Sequence, residues 1–465
     1  MHVFPPGNNR QARPLVGAIA PKHVFNTAAL LFALWLGVAS PARASEQGAL
    51  GLSTAAQAAM ARSQALGAQD AAARSAREAA VAAGQRPDPV LRFSLNNLPI
   101  EGDNRFSTSS ERMTSKAISL MQAFPAEGKR QARSQRFERE ADVALAMRAQ
   151  RAASLRRDTA IAWFERQAQE QRVALLRAQL NENRLQLQAA EAATRGALPA
   201  GANSPAVEWL TARDALAQTQ QALLGAEAAL DNARQALARW TGTPLGQPLG
   251  EAPALTALAL SAAGFAPHLQ QHPDLALFSA RLSAAEADAE LARQDRQPDW
   301  SGELAFVHRR PGFDNMVSLA VSVPLQWDRA QRQDRLLAAR LARVDELQAE
   351  REERSRELLA EVERWLAAWR GGLEQLALID KERLPLARQR ADLAQATYSG
   401  GNARLGDVLA ARRMALALEM ERIEVQLSTA RLWARLEYLL PEPADLSHST
   451  AAAAHDAAAA PTQKD

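Results

Sequence analysis

Two carboxylates hold matching places in a chain that says the same thing twice. Aligning Leu210-Thr-Ala-Arg213 with Leu409-Ala-Ala-Arg412 sets Glu208 against Asp407, each one turn inside a helix that follows a polar turn. A carboxylate at that point has two uses. It caps the helix, because the first N–H groups and the helix dipole favour negative charge, or it presents a fixed charge that attracts cations. The residue types offer little other chemistry. His268 and His272 stand four apart, a spacing that can set two imidazoles on one helix face for a metal, but no third ligand is near and Pro273 follows directly. A metal site is therefore not expected. Of the seven histidines, His2 and His23 fall in the N-terminal leader and His448 and His455 in the tail. No Gly-x-Ser-x-Gly, Gly-x-x-x-x-Gly-Lys-Ser/Thr or His-Glu-x-x-His pattern occurs, so neither a catalytic residue nor a cofactor is expected.

The elements that carry the two carboxylates recur as a unit. Residues 53–240 and 265–440 each contain a pair of alternating segments, a very long Ala/Arg/Leu/Gln helix, a polar turn and a returning helix. Self-similarity on that scale implies pseudo-symmetric packing. Residues 53–84 read as one helix ended by Gly84 and Pro87. In Pro89–Leu98, Leu91, Phe93 and Leu95 point one way and Arg92, Ser94 and Asn96 the other. Lys116–Phe124, Trp300–His308 and Val317–Val323 repeat the alternation. Period two means one apolar face and one small or polar face. Such strands fit a transmembrane barrel or two hairpins half-buried on a soluble domain. Four strands cannot close a barrel, so a spanning structure needs several chains.

Pro125 and Pro324 sit at strand-to-helix junctions, where proline is tolerated. From there the helices are expected to run to about Thr194 and Tyr398, some 70 residues or roughly 100 Å each. Leu358, Val362, Trp365, Trp369, Leu373 and Leu376 form a coiled-coil-like stripe, which makes the two tryptophans packing residues. Pro385 is expected to bend its helix rather than end it. The returning helices span about Pro205–Trp240 and Arg404–Leu440, with a Pro/Gly-rich crossover linker over 241–264 and an Ala-rich, disordered tail over 441–465.

The leader reads as an export signal. Basic residues (Arg10 to Lys22) precede an apolar run from Ala28 to Ala39 and an Ala-x-Ala site that places cleavage between Ala44 and Ser45. That run of 12 residues is shorter than the roughly 20 a spanning helix needs. The chain has 465 residues, no cysteine and a formal charge of +3. Arg10, Arg13, Lys22 and Arg43 account for more than all of it, since +3 less these four leaves −1. The body is therefore not a basic nucleic-acid binder, and its Arg-rich faces read as solvated helix surface paired with Glu.

Over Ser53–Leu440 the chain resembles the trimeric outer-membrane efflux channels of the TolC type. The resemblance rests on the twofold strand–strand–long-helix–turn–helix layout and on Ala396-Thr-Tyr398-Ser-Gly-Gly401 followed by Asp407-Val-Leu-Ala-Ala-Arg412. Arg86-Pro-Asp-Pro89, Phe124-Pro-Ala-Glu-Gly-Lys-Arg130, His272-Pro-Asp274 and Gln297-Pro-Asp-Trp300 are most similar to the branch that serves heavy-metal exporters. The resemblance implies a mainly α fold with a small β part, built of two tandem repeats. A homotrimer would pool four strands per protomer into a twelve-stranded barrel in outer-membrane lipid and continue as an α-helical tunnel in the periplasm. It implies a Gram-negative outer membrane, a periplasmic adaptor (membrane fusion) protein and a proton-driven inner-membrane pump as partners, and no nucleic acid.

It also implies that the two tips form the periplasmic entrance, with Glu208, Tyr398, Arg404 and Asp407 at the gate and the turns Arg195, Gly196, Gly400 and Gly401 meeting the adaptor. Both glycines of the second tip suit positive φ, and an ordinary helix C-cap is compatible with them. Related channels carry a second acid where Ala410 stands and an arginine one place from Arg404, and the first turn has about four extra residues, Ala197–Ser204. The rival reading is an exported coiled-coil scaffold or adaptor without a pore, whose hairpins are soluble.

Overall fold

The four alternating segments form one antiparallel sheet in the order β1-β2-β3-β4, with β1 Val90–Asn96, β2 Ser115–Phe124, β3 Trp300–Arg309 and β4 Met316–Ser322. The structure is a computed structural model that describes residues 48–195, 204–258 and 268–440. The central pair, β2 with β3, joins the two repeats, with Leu120 opposite Leu304 and Ile118 opposite Phe306. Leu91 faces Leu120 and Phe93 faces Ile118 on one side, while Leu319 faces Leu304 and Val317 faces Phe306 on the other. One face of the sheet is thus apolar from edge to edge. That face is bare: Phe93 is 74% exposed, Val317 70% and Leu319 78%. The opposite face carries Arg92, Ser94, Ser119, Glu303, Ala305 and Ser318, and an Arg92–Glu303 ion pair at 3.8 Å lies across it.

The helices are long because little interrupts them. In the first repeat, α3 (Glu127–Thr194) runs 68 residues with no glycine beyond Gly128 and no proline, roughly 100 Å at 1.5 Å per residue. It packs along α2 (Gln64–Gly84), α4 (Pro205–Thr241) and, from the second repeat, α5 (Pro273–Gln294). Residues 53–84 are not one helix. They divide into α1 (Leu52–Arg62) and α2 because Ser63 leaves the helical region at ψ 104° and its side chain caps Leu66 N–H at 3.4 Å.

The second long helix is α6 (Gln333–Leu378) continuing through a π turn, Ile379–Arg383, into α7 (Leu384–Ser399), and α8 (Leu405–Glu437) returns. The π turn sits just before Pro385, whose ring crowds the carbonyl four residues back and which offers no N–H. The helix therefore continues past the proline, in line with the sequence. The junction at Pro324 differs from that at Pro125. α3 starts two residues after Pro125, whereas 324–332 is irregular and helix begins only at Gln333. Of the crossover, Gly242 at φ 70° ends α4, residues 242–258 are non-helical, and 259–264 lie outside the described residues, as do the leader with Ala44 and Ser45 and the tail from 441.

The main core lies midway along the helices. Leu358, Val362 and Trp369 of the predicted stripe join Trp163 and Phe164 of α3, Leu237 of α4, and Ile423, Leu427 and Trp433 of α8. Three indole N–H groups fasten non-helical chain to this core: Trp163 donates to Leu50 O at 2.8 Å, Trp369 to Leu255 O at 3.0 Å and Trp433 to Ala257 O at 2.7 Å. The crossover and the segment before α1 also pair with each other, Leu50 N–H donating to Pro248 O at 2.7 Å. Backbone groups that would otherwise lack partners are satisfied in this way.

Candidate functional site

At the end of the helices farthest along the chain from the sheet, the two polar turns meet. Leu187 and Ala190 of α3, Trp209, Ala212 and Ala215 of α4, Tyr398 of α7 and Leu405 and Leu409 of α8 close on one another as a small separate core. Packing of those apolar residues brings the candidate residues of both repeats into one place. Tyr398 and Glu208, 190 positions apart in sequence, become hydrogen-bonded neighbours. Burial first, then the charge of Glu208 and its hydrogen bond, push the Tyr398 phenol up from its usual value, so the phenol stays protonated and donates to the carboxylate.

The second turn is built by backbone. Gly400 N–H donates to Ala396 O at 3.1 Å and Gly401 N–H to Tyr398 O at 2.9 Å. Only Gly401, at φ 77°, takes the left-handed conformation; Gly400 stays right-handed at φ −77°. The expectation of positive φ at both glycines is thus corrected, because one reversal suffices when Arg404 is extended at ψ 149°. Asp407 then caps α8, its carboxylate accepting from Arg404 N–H at 3.2 Å. The Arg404 side chain is exposed and makes no ion pair among the described residues. In the first turn Arg195 N–H donates to Ala192 O at 3.2 Å, and Gly196 lies outside the described residues together with residues 197–203 of the insertion.

One level below the tip lies a polar layer that the sequence reading missed. Arg412 pairs with Glu182 of α3 and donates to Gln395 of α7 at 3.0 Å, and burial lowers its pKa. Asn183 donates to Thr219 Oγ1 at 2.8 Å across α3 and α4. Asn181 and Asn183 between Leu180 and Leu187 were the available signal, yet a single sequence does not disclose which of them is buried or what it bonds. Arg213, aligned with Arg412, instead lies 5.1 Å over the Trp209 ring.

The histidine pair is not arranged for a metal. His272 precedes α5 and its Nδ1 accepts from Asp274 N–H at 3.1 Å, while His268 stands exposed before a 3-10 turn, Leu269–Gln271. A helical spacing of four therefore does not apply to them. Asp274 in turn accepts from Gln150 at 2.8 Å and Arg354 at 2.9 Å, tying α3, α5 and α6 together.

The sheet, the two long helical pairs and the shared tip together have known counterparts. Residues 267–441 match the outer membrane efflux protein family. CusC, solved as a transmembrane channel, superposes with a TM-score of 0.69 at 16% identity over 83% of this chain and 91% of its own. The fold is that of an outer-membrane channel protomer. The CmeC outer membrane channel of Campylobacter jejuni gives 0.71 at 14% identity, covering 86% of this chain and 88% of its own. The open-state MtrE outer membrane channel of Neisseria gonorrhoeae gives 0.67 at 18%, covering 83% and 88%. No curated protein matches the chain.

Proposed function

We propose that this chain is the subunit of an outer-membrane efflux duct that passively conducts solutes delivered by an inner-membrane pump through a periplasmic adaptor. One observation carries the reading: a four-stranded sheet with a bare apolar face and two unpaired edges sits at one end of helices roughly 100 Å long. Three copies joined edge to edge make a twelve-stranded barrel with lipid outside and the Arg92–Glu303 face inside. The helices extend from it into the periplasm of a Gram-negative cell and end at the shared tip. There Glu208, Tyr398, Arg404 and Asp407 form the entrance, and the turns at Arg195, Gly196, Gly400 and Gly401 meet the adaptor. The signal residues before Ser45 take the chain to the secretory route.

The first test is fractionation followed by conductance. The protein should be extracted from outer membranes by detergent as a trimer and form pores in planar bilayers; release with soluble periplasmic proteins would instead establish the scaffold reading. Glu208→Ala with Asp407→Ala should raise single-channel conductance, because one variant frees Tyr398 and the other uncaps α8. Unchanged conductance removes both residues from the entrance. Heavy-metal cations are the proposed cargo, supported by the segments Arg86–Pro89, Phe124–Arg130, His272–Asp274 and Gln297–Trp300. A deletion strain with unaltered tolerance to copper, zinc, cobalt and cadmium would exclude that cargo, and the proton-driven pump can then be sought among other substrates.

A further inference from the structure

The end of the sheet remote from the helices is rimmed with cations that lack acidic partners. On the apolar face, the row beyond Ile118 and Phe306 is Lys116 directly opposite His308, with Leu95 on the far side of Lys116. Both Lys116 and His308 are exposed. His308 Nδ1 lies 2.9 Å from Asn315 Oδ1. The last residue of β3, Arg309, and the turns just above add Arg105, Arg112 and Arg310. Arg309 and Arg310 clamp the Phe313 ring at 4.7 and 5.0 Å and brace the neighbouring loop by donating to Arg112 O at 3.3 Å and Ser110 O at 3.0 Å. Glu101, Asp103, Glu111 and Asp314 share these turns, yet among the described residues none of them forms an ion pair with any of the five Lys and Arg side chains. Glu111 is turned instead to Arg112 N–H at 2.8 Å and Asn104 at 3.5 Å. Arg310 Nε is buried without a hydrogen-bond partner, a costly state for a guanidinium unless something supplies an acceptor.

We propose that this rim binds the phosphate groups of a phosphorylated glycolipid in the outer leaflet, with Lys116 and His308 meeting the headgroup at the edge of the hydrocarbon and Arg310 braced behind them. The inference rests on the channel reading, which sets the hairpin turns outside the cell and the long helices inside. The apolar rows end where the cations begin, so acyl chains and headgroup phosphates are engaged by one continuous surface. Guanidinium and ammonium groups favour phosphate, and a cation near an anionic membrane surface contributes about 1 kcal/mol, or about fivefold in affinity.

The test uses the full-length protein in nanodiscs of phosphatidylcholine containing either bis-phosphorylated lipid A or its dephosphorylated form. Lipid retained per protomer after re-extraction is the readout. The phosphorylated form should be retained several-fold better, Lys116→Gln and Arg310→Gln should each reduce that preference about fivefold, and Lys116→Arg should keep it. Equal retention of the two lipids, or wild-type retention by both Gln variants, overturns the proposal while leaving the channel reading intact. Displacement by inorganic phosphate at the same concentration would overturn the lipid as occupant. Failure of the wild type to enter nanodiscs at all would sink the channel reading and this inference with it.

Discussion

Two adjacent glycines in α6 should respond to the same substitution with opposite sign. Gly371 and Gly372 lie inside the helix, about two turns before the π turn, where replacing glycine by alanine gains about 1 kcal/mol of helix propensity. At Gly371 a Cβ would meet nothing within 4 Å, so that gain is retained. At Gly372 a Cβ would lie 3.3 Å from Thr429 Cβ and 3.4 Å from its Cγ2, with Oγ1 closer still. Thr429 is 0% exposed and its hydroxyl donates to Val425 O at 2.7 Å. Rotating the threonine only exchanges which atom collides, so α6 and α8 must move apart. Overpacking of this kind costs about 1–3 kcal/mol, which cancels or exceeds the propensity gain. Gly371→Ala should raise the apparent melting temperature in detergent by a degree or two and Gly372→Ala should lower it, with Thr429→Ala restoring the Gly372→Ala protein in a double-mutant cycle. Equal stabilisation by both alanines would mean that the α6–α8 contact at Thr429 is not this close.

The sheet's orientation is tested by placing lysine on either side of one strand. Leu319→Lys, on the bare apolar face, should cost about 2–4 kcal/mol of membrane-inserted stability and reduce heat-resistant oligomer in outer membranes, whereas Ser318→Lys should leave the oligomer in place; equal loss would refute the assigned faces. A second prediction concerns acid. Burial holds the His272 imidazole below its usual 6.5, against the pull of Asp274, with Arg354, Glu361 and Arg157 facing it as further charges. For a depressed histidine the stabilisation is complete above the unfolded value of 6.5 and disappears as pH falls from there toward the folded value. Burial raises the Asp274 carboxyl, but hydrogen bonds from Gln150 and Arg354 and the nearby charges outweigh it, and the net shift is downward from 3.8. Its contribution is therefore lost only below 3.8. His272→Asn keeps an acceptor for the helix cap, worth about 1 kcal/mol, and cannot titrate. Its melting temperature should stay flat between about pH 6.5 and about pH 5 while the wild type declines, and parallel curves would remove His272 from the acid response.

Periodicity made much of the fold readable before any coordinates. Strand faces follow from alternation, which is why Leu91, Phe93 and Leu95 fall together as expected. The ends of α3 could be placed because proline opens it and nothing breaks it until Thr194. Features that depend on one polar side chain or on distant partners were not readable. The break at Ser63 needs one hydroxyl to reach Leu66, and the irregular 324–332 follows a proline that looks the same as Pro125 in sequence. At the tip, matching positions of Glu208 and Asp407 concealed different bonding. Asp407 caps its own helix, whereas Glu208 is bound to Tyr398 of the other repeat, a contact set by how Trp209, Leu405 and Leu409 pack. The Arg412–Glu182 pair and the three indole clasps are likewise products of tertiary packing between residues more than 100 positions apart.

The sheet itself argues against a solitary state in a membrane. Among the described residues β1 pairs only with β2 and β4 only with β3, so each outer edge leaves about half of its backbone N–H and C=O groups without a partner there. In hydrocarbon each such group costs several kcal/mol, and two seven-residue edges together amount to tens of kcal/mol, more than the bare apolar face can recover. In water the balance reverses: the edges are hydrated and the exposed Phe93, Val317 and Leu319 become the liability. Both penalties vanish in one arrangement, with β1 of one copy paired to β4 of the next while the apolar face meets lipid. The two edges have equal length, and their contact is head-to-tail, a geometry that gives a ring where the rotation between copies closes, rather than an isologous pair. Oligomer formation and membrane insertion are therefore expected to be a single coupled event, and a variant that blocks β1–β4 pairing, such as Phe93→Pro, should abolish insertion and oligomer together rather than leave inserted monomers.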